Sequence, residues 1–405
     1  MNGEAPGARL PLDGVRVVEF SHMVMGPSCG LILADLGADV IKIEPTGAGD
    51  KTRALPGSGA GFFPMFNRNK RSVSVDLRSE QGVEFVRRLV GTADVVTENF
   101  RSGGLDALGL GYDDLRPDNP GLIYCSLKGF LSGPYEQRAA LDEVVQMMGG
   151  LAYMTGPPDR PLRAGASVND VMGGMFAAMG VLAALHERRE TGRGKLVRSS
   201  LFENNVFLVG QHMAQYAVTG AAAAPMPARL SAWAVYDVFD TGDGEKVFVG
   251  VVSDTQWRAF CSAFDLPELA GDAGLATNAQ RVAARDRVIP RLRETFGAMA
   301  RDEVIRLCGS ARLPFAPIQR PEDLFDDPHL AEPGALTEVT LSDGRTVRLP
   351  SLPLELDGER LPLRRDLPDP GEHTADLARE LGYSDDEIAA AGADGAFGRS
   401  AASAG

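Results

Sequence analysis

Short apolar runs alternate with helical repeats over the first half of the chain. Val15–Phe20 (VRVVEF) is a β-rich run, and Gly26-Pro27 opens a stretch in which Leu31, Leu33 and Leu36 recur. Gly37-Ala38 ends that stretch before the strand Val40–Glu44 (VIKIE), which completes a βαβ unit. Ser72–Leu77, a helix over Glu80–Val90, Asp94–Phe100 and Leu122–Phe130 continue the alternation. The pattern predicts an α/β, Rossmann-like domain with a mostly parallel sheet and helices on both faces; ligands of such sheets bind beyond the carboxyl ends of the strands. From Arg163 to Gly194 the chain predicts a small-residue helix. Met175, Phe176, Met179, Val181, Leu182 and Leu185 recur at helical spacing, and Thr191-Gly192-Arg193-Gly194 stops it.

Composition shifts after this helix. Residues 1–220 read as the large domain, and 221–230, rich in Ala, Pro and Gly, as a connector. Residues 231–328 carry the short strands and helices of a smaller α+β domain around the turn Thr241–Gly244. A hairpin is expected about Asp343-Gly344, and 385–405 thins into an Ala/Gly/Ser tail expected to be disordered.

The 405 residues are 44% hydrophobic and 24% charged, ordinary for a globular protein. A net charge of −14 argues against nucleic acid and anionic membranes as partners. An anionic ligand must therefore meet a local basic cluster. Phe66–Arg71 (FNRNKR) is the densest, helped by Lys42, Arg53, Arg101, Lys128 and Arg138, although a charge run taken alone is usually a solvated face. Cys29, Cys125, Cys261 and Cys308 form no CxxC and read as reduced thiols of a cytoplasmic protein. No signal peptide is apparent, and no apolar run of about 18 residues suggests a membrane span. The five histidines show no metal-ligand spacing, so no metal is expected, and no G-x-S-x-G elbow occurs. His373 is expected to fix local backbone, and His22, just after the first strand, reads as a satisfied structural histidine, with a place facing a cleft as the alternative.

Asp170 precedes Gly173-Gly174 at the mouth of the small-residue helix. One reading makes it an N-cap, accepting a backbone N–H at the positive end of the helix dipole. The other makes it a nucleophile, kept ionised by those same donors, with the glycines admitting a substrate.

Six separated stretches carry a resemblance. They are Leu12–Pro45, FNRNKRSVSVDL, VVTENFRSGGLDALGLGYDDL, YCSLKGFLSGPY, the Asp170 helix with ETGRGKLV, and GEHTADLARELGYSDDEI. Together, and in this order, they resemble the class III CoA-transferases, the formyl-CoA transferase and carnitine CoA-transferase group. The resemblance implies a large domain built from both chain ends, residues 329–384 returning to it, and an interlocked homodimer. It implies that Asp170 attacks an acyl-CoA thioester, with Gly173 and Gly174 supporting the oxyanions and no permanently bound cofactor. Asn69, Lys70, Arg71, Asn99, Lys128, Arg138 and Arg53 would line the CoA site.

Departures from that family's pattern narrow the substrate. Val24 stands where formyl-CoA transferases carry a glutamine, and no tetraglycine loop is found, which argues against oxalate. Leu141 stands where the related 2-methylacyl-CoA racemases carry a histidine, which favours transfer over racemisation; a non-catalytic CoA-binding protein is the remote alternative. Arg229 is a candidate for the second carboxylate of a C4–C5 dicarboxylate acceptor, with succinyl-CoA as a possible donor; a surface arginine in a connector is the plain reading.

Overall fold

The computed structural model describes residues 9–229 and 231–398. The chain divides into two compact units, one formed by the residues up to Pro227 with those from Ala331 onward, the other by Ala228–Leu330.

In the first unit the alternation becomes a six-stranded parallel sheet. Its strands are β1 (Arg16–Phe20), β2 (Asp39–Glu44), β3 (Lys70–Ser74), β4 (Val95–Glu98), β5 (Ile123–Lys128) and β6 (Leu196–Ser200). Their order is β3-β2-β1-β4-β5-β6, the doubly wound arrangement. Strand order reverses between β1 and β4, so the loops after Phe20 and Glu98 flank the crevice at the carboxyl edge. β3 starts at Lys70, earlier than expected, because Lys70 and Arg71 pair in register with Val40 and Ile41.

Alternate residues of each strand face opposite sides. Val18, Phe20, Ile41, Ile43 and Val73 pack towards Phe85, Val86 and Leu89, while Val17, Val40, Val95, Ile123 and Cys125 pack towards Cys29, Leu33, Ala177 and Val181. These partners lie on α1 (Met25–Asp35), α2 (Glu80–Gly91) and a 24-residue helix, Val168–Thr191. A short helix, α3 (Asp142–Met148), precedes the long one, which is α4. Gly192, at φ +68°, ends α4.

Against the expectation of no membrane-length segment, helix α4 is long and apolar enough to cross a membrane by length and composition alone, a test that a packed core helix also passes. Gly173, Gly174, Ala177, Ala178, Val181 and Ala184 form its buried face, while Val171, Met175 and Met179 are exposed at four-residue spacing.

The expected disorder of 385–405 is corrected as far as Gly398. Ser384 and Glu387 form a capping box that starts a helix at Asp385–Ala393. Phe397 then packs edge-on against Phe85, with ring centroids 4.8 Å apart, and Gly398 donates to Ser74 O. The Ala/Gly/Ser composition hides these anchors; residues 399–405 lie outside the described residues. His373 holds β3 from the same region, its Nδ1 accepting the Ser72 N–H and its own N–H reaching Ser72 O. The expected hairpin spans Leu336–Thr340 and Thr346–Pro350.

The second unit pairs Val235–Asp240, Lys246–Val251 and Phe315–Pro317 in an antiparallel sheet. Val249, Trp257, Phe260, Leu292 and Phe296 form its core with the helices that cover it.

Candidate active site

Helix α4 begins at Val168, with Ser167 at the N-cap position and no side-chain cap of its own. Asp170 therefore lies in the first turn, which corrects the N-cap assignment. Asp142, at the start of α3, does the capping from a distance: its Oδ1 accepts the Asn169 N–H at 2.8 Å and the Asp170 N–H at 3.2 Å.

The Asp170 carboxyl is left free of capping duty. Burial, then the neighbouring Asp142 and Glu143 carboxylates, raise its pKa to about 7. This corrects the expectation that the helix terminus holds the group firmly ionised, because burial and two like charges act against ionisation.

A strap from Arg163 to Asp170 is fastened to α3 at three points. Glu143 pairs with the Arg163 guanidinium, Gln146 Oε1 accepts the Ala164 N–H at 2.8 Å, and Asp142 accepts the two first-turn amides. Gln146 Nε2 also donates to Asp142 Oδ2, fixing the capping carboxylate. Behind it, Asn205 donates to Val145 O at 3.0 Å and accepts from Asn169. Asp142, Gln146, Asn169, Asn204 and Asn205 are all buried. Sequence reasoning missed this polar shell; Asp142 and Gln146 at i, i+4, and the pair Asn204-Asn205 in an apolar run, were the signals.

Gly173 and Gly174 serve packing rather than oxyanion binding. A Cβ on Gly174 would stand 2.6 Å from Ser28 Cβ and 2.8 Å from Met25 O, and one on Gly173 would meet Met25 Cε at 2.3 Å. Both lie beyond the first turn of α4, where an amide is committed to the carbonyl four residues before it. At the crevice itself, Asn99 joins the two loops: its Oδ1 accepts the His22 N–H at 3.1 Å and its Nδ2 donates to His22 O at 2.9 Å. The His22 ring packs 5.6 Å from Phe100, and burial lowers its pKa.

The residues expected to meet CoA separate into groups. Asn99, Lys128 and Arg53 stand at the carboxyl edge. Lys128 Nζ bonds Glu98 at 2.7 Å and Phe100 O at 2.6 Å, beside a cavity of about 320 Å³ that it lines with Ser102, Ser126 and Arg198. Arg53 grips Glu44 through two nitrogens and lies over the Phe63 ring. Arg138 is exposed, its guanidinium 5.7 Å from the Tyr135 ring centroid.

The other three turn away, because acids elsewhere in the sequence claim them. Lys70 Nζ is enclosed by Glu19, Pro27 O and Asn67, and burial lowers it to about 8 against the pull of Glu19. Arg71 bonds Asp39 and Glu380 at the opposite, amino edge of the sheet. Asn69, at φ +62°, bonds Asp35 and accepts the Arg364 and Arg365 amides. FNRNKR is thus an internal frame, with Arg68 held by Asp35 at 2.8 Å, and not a phosphate patch.

Of the acid-site candidates, Val24 is 2% exposed, so it belongs to the core and not to a cleft wall. Its neighbour Met23, at φ +63° and exposed, occupies the surface instead. Leu141 is 64% exposed and immediately precedes Asp142. Arg229 is exposed and belongs to the second unit. All four cysteines are free and buried, and among the described residues no group of three or more His, Cys, Asp or Glu side chains could hold a metal.

Comparison with known proteins places this arrangement. The chain is 34% identical over 393 residues to the succinate–glutarate CoA-transferase of Agrobacterium fabrum, covering 93% of this chain and 97% of that one. It is 33% identical over 395 residues to the succinyl-CoA–D-citramalate CoA-transferase of Chloroflexus aurantiacus, covering 94% and 96%. The crystal structure of a CaiB/BaiF family protein from Brucella suis superposes with a TM-score of 0.83 at 35% identity, covering 92% of this chain and all of that one. CoA-transferase family III matches residues 12–374. With the doubly wound sheet and the near full-length matches, the chain belongs to CoA-transferase family III, a family of enzymes acting on CoA thioesters.

Proposed function

We propose that the enzyme moves CoA from succinyl-CoA to a small dicarboxylate, of the kind named for the Agrobacterium and Chloroflexus relatives, through covalent intermediates on Asp170. The observation that carries the reading is the partly buried Asp170 carboxyl, its helix capped by Asp142 and packed through Gly173 against Met25 at the start of the helix that follows β1.

An Asp170 oxygen attacks the thioester carbonyl, and collapse of the adduct expels CoA thiolate and leaves an aspartyl acyl anhydride. The thiolate then attacks the aspartyl carbonyl, giving an aspartyl-CoA thioester and releasing the donor acid. The acceptor carboxylate attacks this thioester and frees the thiolate, which attacks the acyl carbonyl of the new anhydride. Product acyl-CoA leaves and Asp170 is restored. Bonds broken and formed match at each step, so nothing beyond a nucleophile and shielding from water is required.

Asn99, Lys128 and Arg53 are the CoA-site residues that the carboxyl-edge placement supports, Lys128 through the cavity it lines, and Arg138 is kept beside them as an exposed cation. The exposed apolar stripe of α4, with Phe207, Met213 and Tyr216 on the helices after β6, supports an interlocked homodimer. The buried free cysteines suit a reducing, cytoplasmic setting.

The test is to incubate the enzyme with succinyl-CoA, trap with hydroxylamine or borohydride, and map the modified peptide. Label on the peptide carrying Asp170, with transfer to glutarate seen by mass spectrometry, is the expected result. Transfer with no label on Asp170 rejects the covalent mechanism, and transfer confined to monocarboxylates rejects the substrate class.

A further inference from the structure

The Asp170 strap carries a cation that the steps above leave unused. Arg163 and Asp170 stand at its two ends, and both ends return to the first turn of α3, where Glu143 holds the Arg163 guanidinium and the adjacent Asp142 holds the Asp170 amide. The strap cannot drift, since Gln146 also fixes the amide of Ala164. Asp142, Glu143 and Asp170 are three carboxyl groups, and Arg163 pairs with one of them, Glu143. A dianionic acceptor approaching Asp170 meets net negative charge unless one positive group is released to it.

We propose that Arg163 binds the distal carboxylate of the dicarboxylate acceptor, exchanging Glu143 for the substrate, and so selects dicarboxylates over monocarboxylates. The pair suits such an exchange. Both side chains are partly exposed, at 39% for Arg163 and 49% for Glu143, so their contact is weak and the displaced carboxylate returns to water. A guanidinium presents a planar fork that matches a carboxylate with two parallel hydrogen bonds. Leu141, exposed beside this turn, offers apolar surface to the methylene chain between the two acid groups.

This inference rests on the dicarboxylate reading, and the experiment separates the two. KM and kcat are measured for glutarate, succinate and butyrate with wild type, Arg163→Gln, Arg163→Lys and Glu143→Gln, with the folded state of each verified by circular dichroism. Arg163→Gln should raise KM for the dicarboxylates by about 10–100-fold and change that for butyrate less than about threefold. Arg163→Lys should recover part of the loss, and Glu143→Gln, which removes the competing carboxylate, should lower the dicarboxylate KM. Equal effects on butyrate and glutarate overturn the assignment while leaving the dicarboxylate reading intact. A selective effect from Arg229→Ala in place of Arg163→Gln does the same. A wild-type enzyme that takes only butyrate overturns the substrate reading and this assignment with it.

Discussion

Asp142 and Asp170 meet through one backbone hydrogen bond: Asp142 Oδ1 accepts the Asp170 N–H at 3.2 Å, and the same oxygen takes the Asn169 N–H. One carboxylate thereby starts the helix on which the other is carried. The division of labour has an electrostatic cost, because the capping charge is among the causes that raise the Asp170 pKa to about 7. Asp142→Asn keeps an acceptor oxygen but removes the charge. Its expected signature is a downward shift in the acid limb of kcat/KM against pH, since the nucleophile then ionises more readily. Asp142→Ala removes the acceptor as well and should destabilise the fold by about 1–2 kcal/mol in a denaturant titration. A limb that stays in place in Asp142→Asn would show that the two carboxylates are not coupled.

Asp170 itself gives a stability test with a definite sign. Its folded-state pKa is raised above the unfolded value of about 3.9, so folding takes up a proton between the two values. The stabilisation from the protonated form is complete below pH 4 and is lost as pH rises through 7. Asp170→Asn removes that dependence. Thermal unfolding of the variant should show a higher Tm than wild type at pH 8, with the gap closing towards pH 4, while CoA transfer falls by about 10³-fold or more. A Tm lower than wild type at pH 8 would contradict the burial and like-charge account.

The two glycines of α4 should behave differently. At Gly174 an added Cβ meets the Met25 carbonyl oxygen and Ser28 Cβ, neither of which can move without shifting α1. At Gly173 the nearest atom is the tip of the flexible Met25 side chain. Gly174→Ala is therefore expected to cost about 1–3 kcal/mol or more, and Gly173→Ala less. Unfolding curves for the two variants settle the order, and a reversed order would refute the helix-contact explanation.

Much of the fold was legible because its signals are local. The run VRVVEF, the Gly37-Ala38 stop and the periodic Phe85, Val86 and Leu89 each report burial in a window of a few residues. The candidate site was less legible, because the partners of its charged residues lie far away in the chain. Lys70 and Arg71 looked like ligands for phosphate because Glu19, Asp39 and Glu380, which neutralise them, lie 51, 32 and 309 residues away. Asp142, 28 residues from Asp170, was invisible as a cap for the same reason. Phe397 was lost in a composition that reads as disorder, although a single aromatic residue against Phe85 is enough to anchor that segment.

The exposed stripe of α4 supplies the last test. Val171, Met175 and Met179 line one side of a helix whose other side is packed against α1 and the sheet, and Phe207, Met213 and Tyr216 add further exposed apolar surface on the next two helices. Such a surface is costly to leave in water, and a second copy of the chain is the partner proposed for it. Met179→Glu combined with Phe207→Glu places charges on that surface and leaves the buried face of α4 unchanged. Because interlocked copies cannot part while folded, both proteins are unfolded and refolded first; light scattering coupled to size-exclusion chromatography should then report the monomer mass where wild type gives the dimer, with the circular dichroism spectrum retained. If both proteins elute at the same dimeric mass, the interface lies elsewhere and the apolar stripe needs another occupant.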